Sequence, residues 1–131
     1  MQFHQGFPNG CPPADAESGD CTLYKAIGGS DPVVRDFESF AERKRPGIDL
    51  AACQSWGISV WTDMDSVQHA LNAFHCFRSK HIISFSVKEN DGLLKHTPSN
   101  RQPNHHTFWK SVAANLLDSC NIAIRGAAPQ Q

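Results

Sequence analysis

Apolar and polar residues alternate over residues 21–27 (CTLYKAI), which is the period of a half-buried strand, and Gly28-Gly29 close it. After that the period changes. Ser30, Asp31 and Pro32 read as a helix start. Val33, Phe37 and Phe40, joined by Val34 and Ala41, then have the spacing of one helical face as far as the Pro46-Gly47 break. A short second helix is expected over 50–55, capped by Asp49 and closed by Gly57. Residues 57–61 (GISVW) are β-branched and aromatic and predict a second strand. Thr62 caps the clearest helix, 63–79, whose stripe is Val67, Ala70, Leu71, Phe74 and Phe77. Residues 81–87 (HIISFSV) alternate again. Asn90-Asp91-Gly92 then predicts a hairpin into a returning strand over 93–97. A last helix from about Thr107, with Trp109, Val112, Ala113, Leu116 and Leu117 inward, and a short strand over 121–124 complete the pattern.

This order is neither strict βαβ alternation nor all-β. It predicts an α+β fold: one mainly antiparallel sheet of about four to five strands with helices packed on one face. The 131 residues fit a single domain over 21–125, with an irregular Gly/Pro-rich arm at 1–20 and a tail at 126–131. Phe3 and Phe7 are placed to anchor the arm.

Charge narrows the partners. The formal net charge is -1 and the single dense basic run, Arg43-Lys44-Arg45, follows Asp36, Glu38 and Glu42. No nucleic-acid partner is expected, because phosphate neutralisation needs a basic face, and the run reads as a solvated helix end. No apolar run approaches the ~20 residues that cross a bilayer, so no membrane association is expected. The five cysteines are odd in number and none has C-x-x-C spacing; they read as free thiols in a reducing, cytoplasmic setting, with Cys11 and Cys21 able to pair only on export.

The richest concentration of candidate chemistry is 96–109 (HTPSNRQPNHHTFW), with three histidines, one arginine and no acid. His105 and His106 are adjacent, so in extended chain they point apart and one can face a pocket. Either imidazole suits general acid/base work near neutral pH. Arg101 offers a planar fork for an anion, and His96 and Thr107 add hydrogen-bonding groups. The plain alternative is a Pro-braced surface loop. On the first two strands, alternation puts Tyr24 and Lys25 on opposite faces and Ser59 and Trp61 on the same one. If those strand ends converge on the histidines, an aromatic platform, a cation and imidazoles form a cleft for a nucleotide or other anionic planar ligand. No metal and no cofactor are expected: H-x-x-x-H, C-x-x-C, G-x-S-x-G, G-x-G-x-x-G and Walker-type spacings are all absent.

Pro32, Asp36-Phe37 and Ser39 with Glu42, then Gly57-Ile58-Ser59-Val60-Trp61, then His106-Thr107-Phe108-Trp109, resemble a scattered set of small bacterial proteins carried on mobile elements such as integron gene cassettes. That resemblance covers roughly residues 22–124 and implies a bacterial origin and one small domain. Tyr24-Lys25 and Ser59 also resemble the first two conserved places of ADP-ribosyltransferase-like folds; the late glutamate of that pattern is missing, and His105 and His106 stand in its region. The expectation is therefore an accessory module that binds a small anionic ligand or a protein partner, with its working surface at 96–109. The alternatives are a small enzyme acting on a nucleotide or similar anion through a histidine, and a toxin-antitoxin component. A homodimer is compatible with any of them.

Overall fold

A computed structural model describes residues 1–127. The last four residues of the expected tail lie outside it. The described strands are β1 (Cys21–Ile27), β2 (Ile58–Val60), β3 (His81–Val87), β4 (Gly92–His96), β5 (His106–Lys110) and β6 (Asn121–Ile124). The α-helix α1 (Met64–Ala73) follows β2. The fold is α+β and every ladder is antiparallel, but the strands form two three-stranded sheets, β1-β3-β6 and β2-β5-β4, rather than one sheet of four or five.

The two sheets face each other. Leu23, Ile27, Ile83, Phe85 and Val87 of the first meet Ile58, Val60 and Phe108 of the second in one buried cluster. Phe37 seals it, edge-on to Phe85 with ring centroids 5.1 Å apart. The sheets touch at a corner, where Tyr24 and Trp61 exchange backbone hydrogen bonds of 2.9 Å each way. Alternation sends Tyr24, Ala26 and Ile82 to the opposite face of the first sheet, where α1 covers them with Val67 and Ala70. Between β3 and β6 the register shifts, so Ile82 faces Ile124 while Ile83 faces Ile122. Ala123 is the extra residue of this bulge. It lets Ile122 join the inter-sheet cluster and Ile124 the helix side, two residues apart on one strand.

Helix α1 packs on the first sheet. The outer face of β2-β5-β4 is covered by residues 1–20, which hold no strand or helix yet are tied down along their length. Phe3, Phe7, Cys11 and Ala16 pack on Ala41, Trp56 and Trp109. Glu17 pairs with Leu94 in both directions, at 2.8 and 2.7 Å, which covers the β4 edge. A disulfide joins Cys11 to Cys53 with the Cα atoms 5.4 Å apart, which corrects the reading of all five cysteines as free; Cys21, Cys76 and Cys120 remain thiols.

Four expected elements differ, for physical reasons. The last helix is strand β5. Phe108 is buried between the sheets and Trp109 under the arm, so a strand covered on both faces lost the alternation that would have marked it. The hairpin at Asn90-Asp91-Gly92 is a turn that changes sheets: β3 is already paired on both sides, and β4 pairs with β5. Ser111 pins that turn through Asp91 O at 2.8 Å and Asn90 O at 3.1 Å. The helix expected from Pro32 is a single 3-10 turn, Val34–Phe37, because Asp36 takes the Val33 N–H and Ser39 and Glu42 bond each other's backbone N–H. The helix over 50–55 is the 3-10 turn Cys53–Trp56. Helix α1 itself starts one residue later than expected, since Asp63, not Thr62, accepts the Ser66 N–H at 2.7 Å. It stops at Ala73, and Phe77 then closes edge-on over Trp61.

Candidate functional site

The 96–109 segment is two strand ends and a loop. His96 closes β4 and pairs with His106, which opens β5. Between them, Thr97 N–H donates to His105 O at 2.9 Å, and Ser99 and Gln102 exchange backbone bonds of 3.1 and 3.2 Å. Gln102 also accepts the Trp61 indole N–H at 3.2 Å, which fixes the loop against the sheet corner.

Strand geometry separates the two adjacent histidines. His106 lines a cleft of about 540 Å³ whose other walls include Asp15, Glu17 and Asp20 of the arm. Its ring lies tilted against His96 with centroids 5.0 Å apart, and both rings spend a nitrogen on a backbone carbonyl: His106 Nδ1 on Asn104 at 3.0 Å and His96 Nε2 on Pro103 at 2.6 Å. Lys95 in that cleft is paired with Asp15 at 3.0 Å. That is the cleft's one ion pair among the described residues, and it leaves Glu17 and Asp20 as surplus negative charge.

His105 turns to the other side. It lines two adjoining cavities of about 280 and 410 Å³, and Lys25, Phe40, Arg43 and Ser59 line both as well. The smaller extends over Ser39, Gln54 and the buried Thr107; the larger over Trp61, Phe77, Arg45 and Lys80. His105 Nδ1 lies 3.0 Å from Thr97 O and 2.9 Å from Thr97 Oγ1, which in turn is 2.8 Å from Thr107 Oγ1. A carbonyl only accepts, so Nδ1 carries the proton and Nε2 is the basic nitrogen. Burial holds the His105 pKa below the ordinary imidazole value, against the pull of the Thr97 carbonyl and with the positive fields of His106 and His96. The shift favours the neutral ring.

Lys25 sits on the inward face of β1, between Leu23 and Ile27. Its Nζ donates to the Ala26 carbonyl at 3.2 Å, and among the described residues it makes no ion pair. Burial lowers its pKa to about 8; Arg43 and Lys80 push the same way and Asp36 opposes them. Arg43 is anchored through Nε on Arg35 O at 3.1 Å, and Arg45 stacks over Phe40 at 4.4 Å. Lys44 between them takes a left-handed φ of 55°, the turn that leaves both arginines on the cavity wall.

Of the residues singled out in the sequence, the structure gathers Lys25, Ser59, Trp61, Thr107 and His105 around this double cavity. It places four elsewhere. His96 and His106 belong to the acid-lined cleft. Tyr24 packs in the helix-side cluster. Arg101 stacks over Phe74 at 4.5 Å and lines neither of the cavities that His105 lines. The sequence reading missed Phe40, Arg43, Arg45 and Lys80. The available signal was Lys25 itself, a cation at an inward strand position. Among the described residues, no group of three or more His, Cys, Asp or Glu side chains is gathered as a metal site requires, and no helix is long and apolar enough to cross a membrane. Compared with protein families, curated proteins and solved structures, the chain finds no match.

Proposed function

We propose that the protein is a binding module for a small anionic ligand with a planar portion, of nucleotide or aryl-phosphate type, held in the double cavity at the sheet corner. One observation carries this reading. The 410 Å³ cavity is walled by four cations, Lys25, Arg43, Arg45 and Lys80, against the single carboxylate Asp36, with the rings of Phe40, Trp61 and Phe77 beside them. The joined volume suits a small ligand, and cations close to apolar walls focus a field that attracts anions. Arg43 and Lys25 take the anionic group, the aromatic rings flank the planar part, and Ser59 and the His105 Nε2 orient polar edges. The working surface is thus the His105 side of the 96–109 segment. The cation-walled site favours a small ligand over a protein partner as the first reading. The Cys11–Cys53 disulfide favours an oxidising compartment over the cytoplasmic placement expected from the sequence.

The test is a thermal-shift and calorimetric series with inorganic phosphate, pyrophosphate and nucleoside monophosphates. A ligand specific for the native state raises the midpoint by mass action. The reading predicts a stabilising anion whose effect disappears in Arg43→Gln and persists in His106→Gln. Stabilisation lost equally in both variants, or by none of the anions, contradicts it.

A further inference from the structure

From the position of Lys25 on the walls of both cavities, we infer that Lys25 is a carbonyl-reactive residue that forms an imine with an anionic aldehyde or ketone. The inference rests on the anion site just proposed and adds a covalent step to it.

Three features of the geometry carry it. Lys25 lines both cavities, together with Phe40, Arg43, Ser59 and His105, so one lysine serves a carbonyl compound that occupies either. Its hydrogen bond is to the carbonyl of the next residue, Ala26, and no carboxylate within ion-pair distance among the described residues holds it as an ammonium. The charged groups around it are Arg43 and Lys80 on the cationic side, with Asp36 opposing, and Glu38 stands at the wall of the smaller cavity. That cationic surplus serves two ends. It draws in an anionic substrate, and it disfavours a further positive charge on Nζ, so a larger minority of the amine is free base at neutral pH than for an ordinary lysine. With a pKa near 8 in place of 10.5, the free-amine fraction at pH 7 rises on the order of a hundredfold.

The step balances without an external oxidant or reductant. The Nζ lone pair attacks the carbonyl carbon and the C=O π pair moves to oxygen. The attacking nitrogen loses a proton and the oxygen gains one, giving a carbinolamine. Loss of the hydroxyl with a second proton releases water and leaves the C=N bond. His105, neutral and lining the same two cavities with Nε2 basic, is the group suited to accept the proton from nitrogen and return it to the departing hydroxyl.

The experiment uses the full chain and pyridoxal 5′-phosphate, an anionic aromatic aldehyde, as probe. Imine is trapped with cyanoborohydride, which spares the disulfide, and the modified lysine is mapped by peptide mass spectrometry. Trapping is expected at Lys25 at least roughly tenfold faster than at Lys44, Lys88, Lys95 or Lys110. It is expected to fall with pyridoxal lacking the phosphate, to be competed by pyrophosphate, and to drop in Arg43→Gln. Lys25→Met, whose melting curve reports that it is folded, should lose the fast site and retain the slow ones. Modification spread evenly over the lysines, or a Lys25 that stays unmodified, overturns the inference. If Lys25 stays unmodified while pyrophosphate still binds and binding is lost in Arg43→Gln, the imine alone fails; if pyrophosphate also fails to bind, the anion site fails with it.

Discussion

His105 and His106 are neighbours in sequence and belong to two clefts of opposite character. The His106 cleft is larger than either of the two His105 cavities, its acids come from the arm, and its lysine is paired with Asp15. The His105 cavities hold cations that make no ion pair among the described residues. The size of a single cavity would pick the first. Unspent electrostatic energy picks the second, because a buried amine kept without a counter-ion destabilises the fold unless a ligand offsets it. One strand separates the two, and a side-chain period of two makes that division sharp.

The largest predicted effect removes the ring on which the arm packs. Trp109→Ala, at a residue 1 % exposed whose indole donates to Cys53 O at 3.0 Å, should lower unfolding free energy by about 3–5 kcal/mol in denaturant titrations and loosen the arm that walls the His106 cleft. Next is the arm. Replacing both Cys11 and Cys53 by Ser should cost roughly 2–5 kcal/mol, since the bridge spans 42 residues. Because the arm supplies the acids, the acid-lined cleft should loosen, seen as faster amide exchange at Glu17 and Leu94, while anion binding at Lys25 persists.

Lys25→Met acts in the opposite direction. Removing a half-buried amine should stabilise the protein at pH 7 by about 1–3 kcal/mol while abolishing anion binding. The sign follows from the lowered pKa. Between about 8 and 10.5 the unfolded chain holds a proton on Lys25 that the folded chain has lost, so wild-type stability rises with pH there and the advantage of Lys25→Met narrows. An advantage that stays constant from pH 7 to 10.5 contradicts the desolvated amine. The smallest effect concerns His105. Its lowered pKa means the folded state takes up its proton after the unfolded one, so stability falls as pH drops below about 6.5. His105→Gln should flatten that part of the wild-type pH profile, measured by chemical unfolding at pH 5 to 7.

Much of this was legible in the chain, and unevenly so. Strands β1 and β3 stand where alternation put them, because each has one face that differs in burial from the other or clear turn residues at its ends, and β6 covers the residues expected for a short last strand. Strand β5 was not legible: both its faces are buried, and Phe108 and Trp109 satisfy a helical period as well as an extended one. The arm was read as loose because its order comes from partners distant in sequence, Cys53, Trp56 and Leu94, which no local pattern reveals. At the site, the parting of the adjacent histidines and of Tyr24 from Lys25 followed from the period of two. The cationic wall did not, because Arg43 and Arg45 reach the cavity through an irregular turn rather than a helix.

The most direct test of the account is calorimetric titration of pyrophosphate into the wild type, Lys25→Met and His106→Gln, each at low and at physiological ionic strength. The account predicts binding to the wild type and to His106→Gln alike, weakening with salt, and none to Lys25→Met. Binding that survives in Lys25→Met and disappears in His106→Gln would place the site in the acid-lined cleft and contradict it.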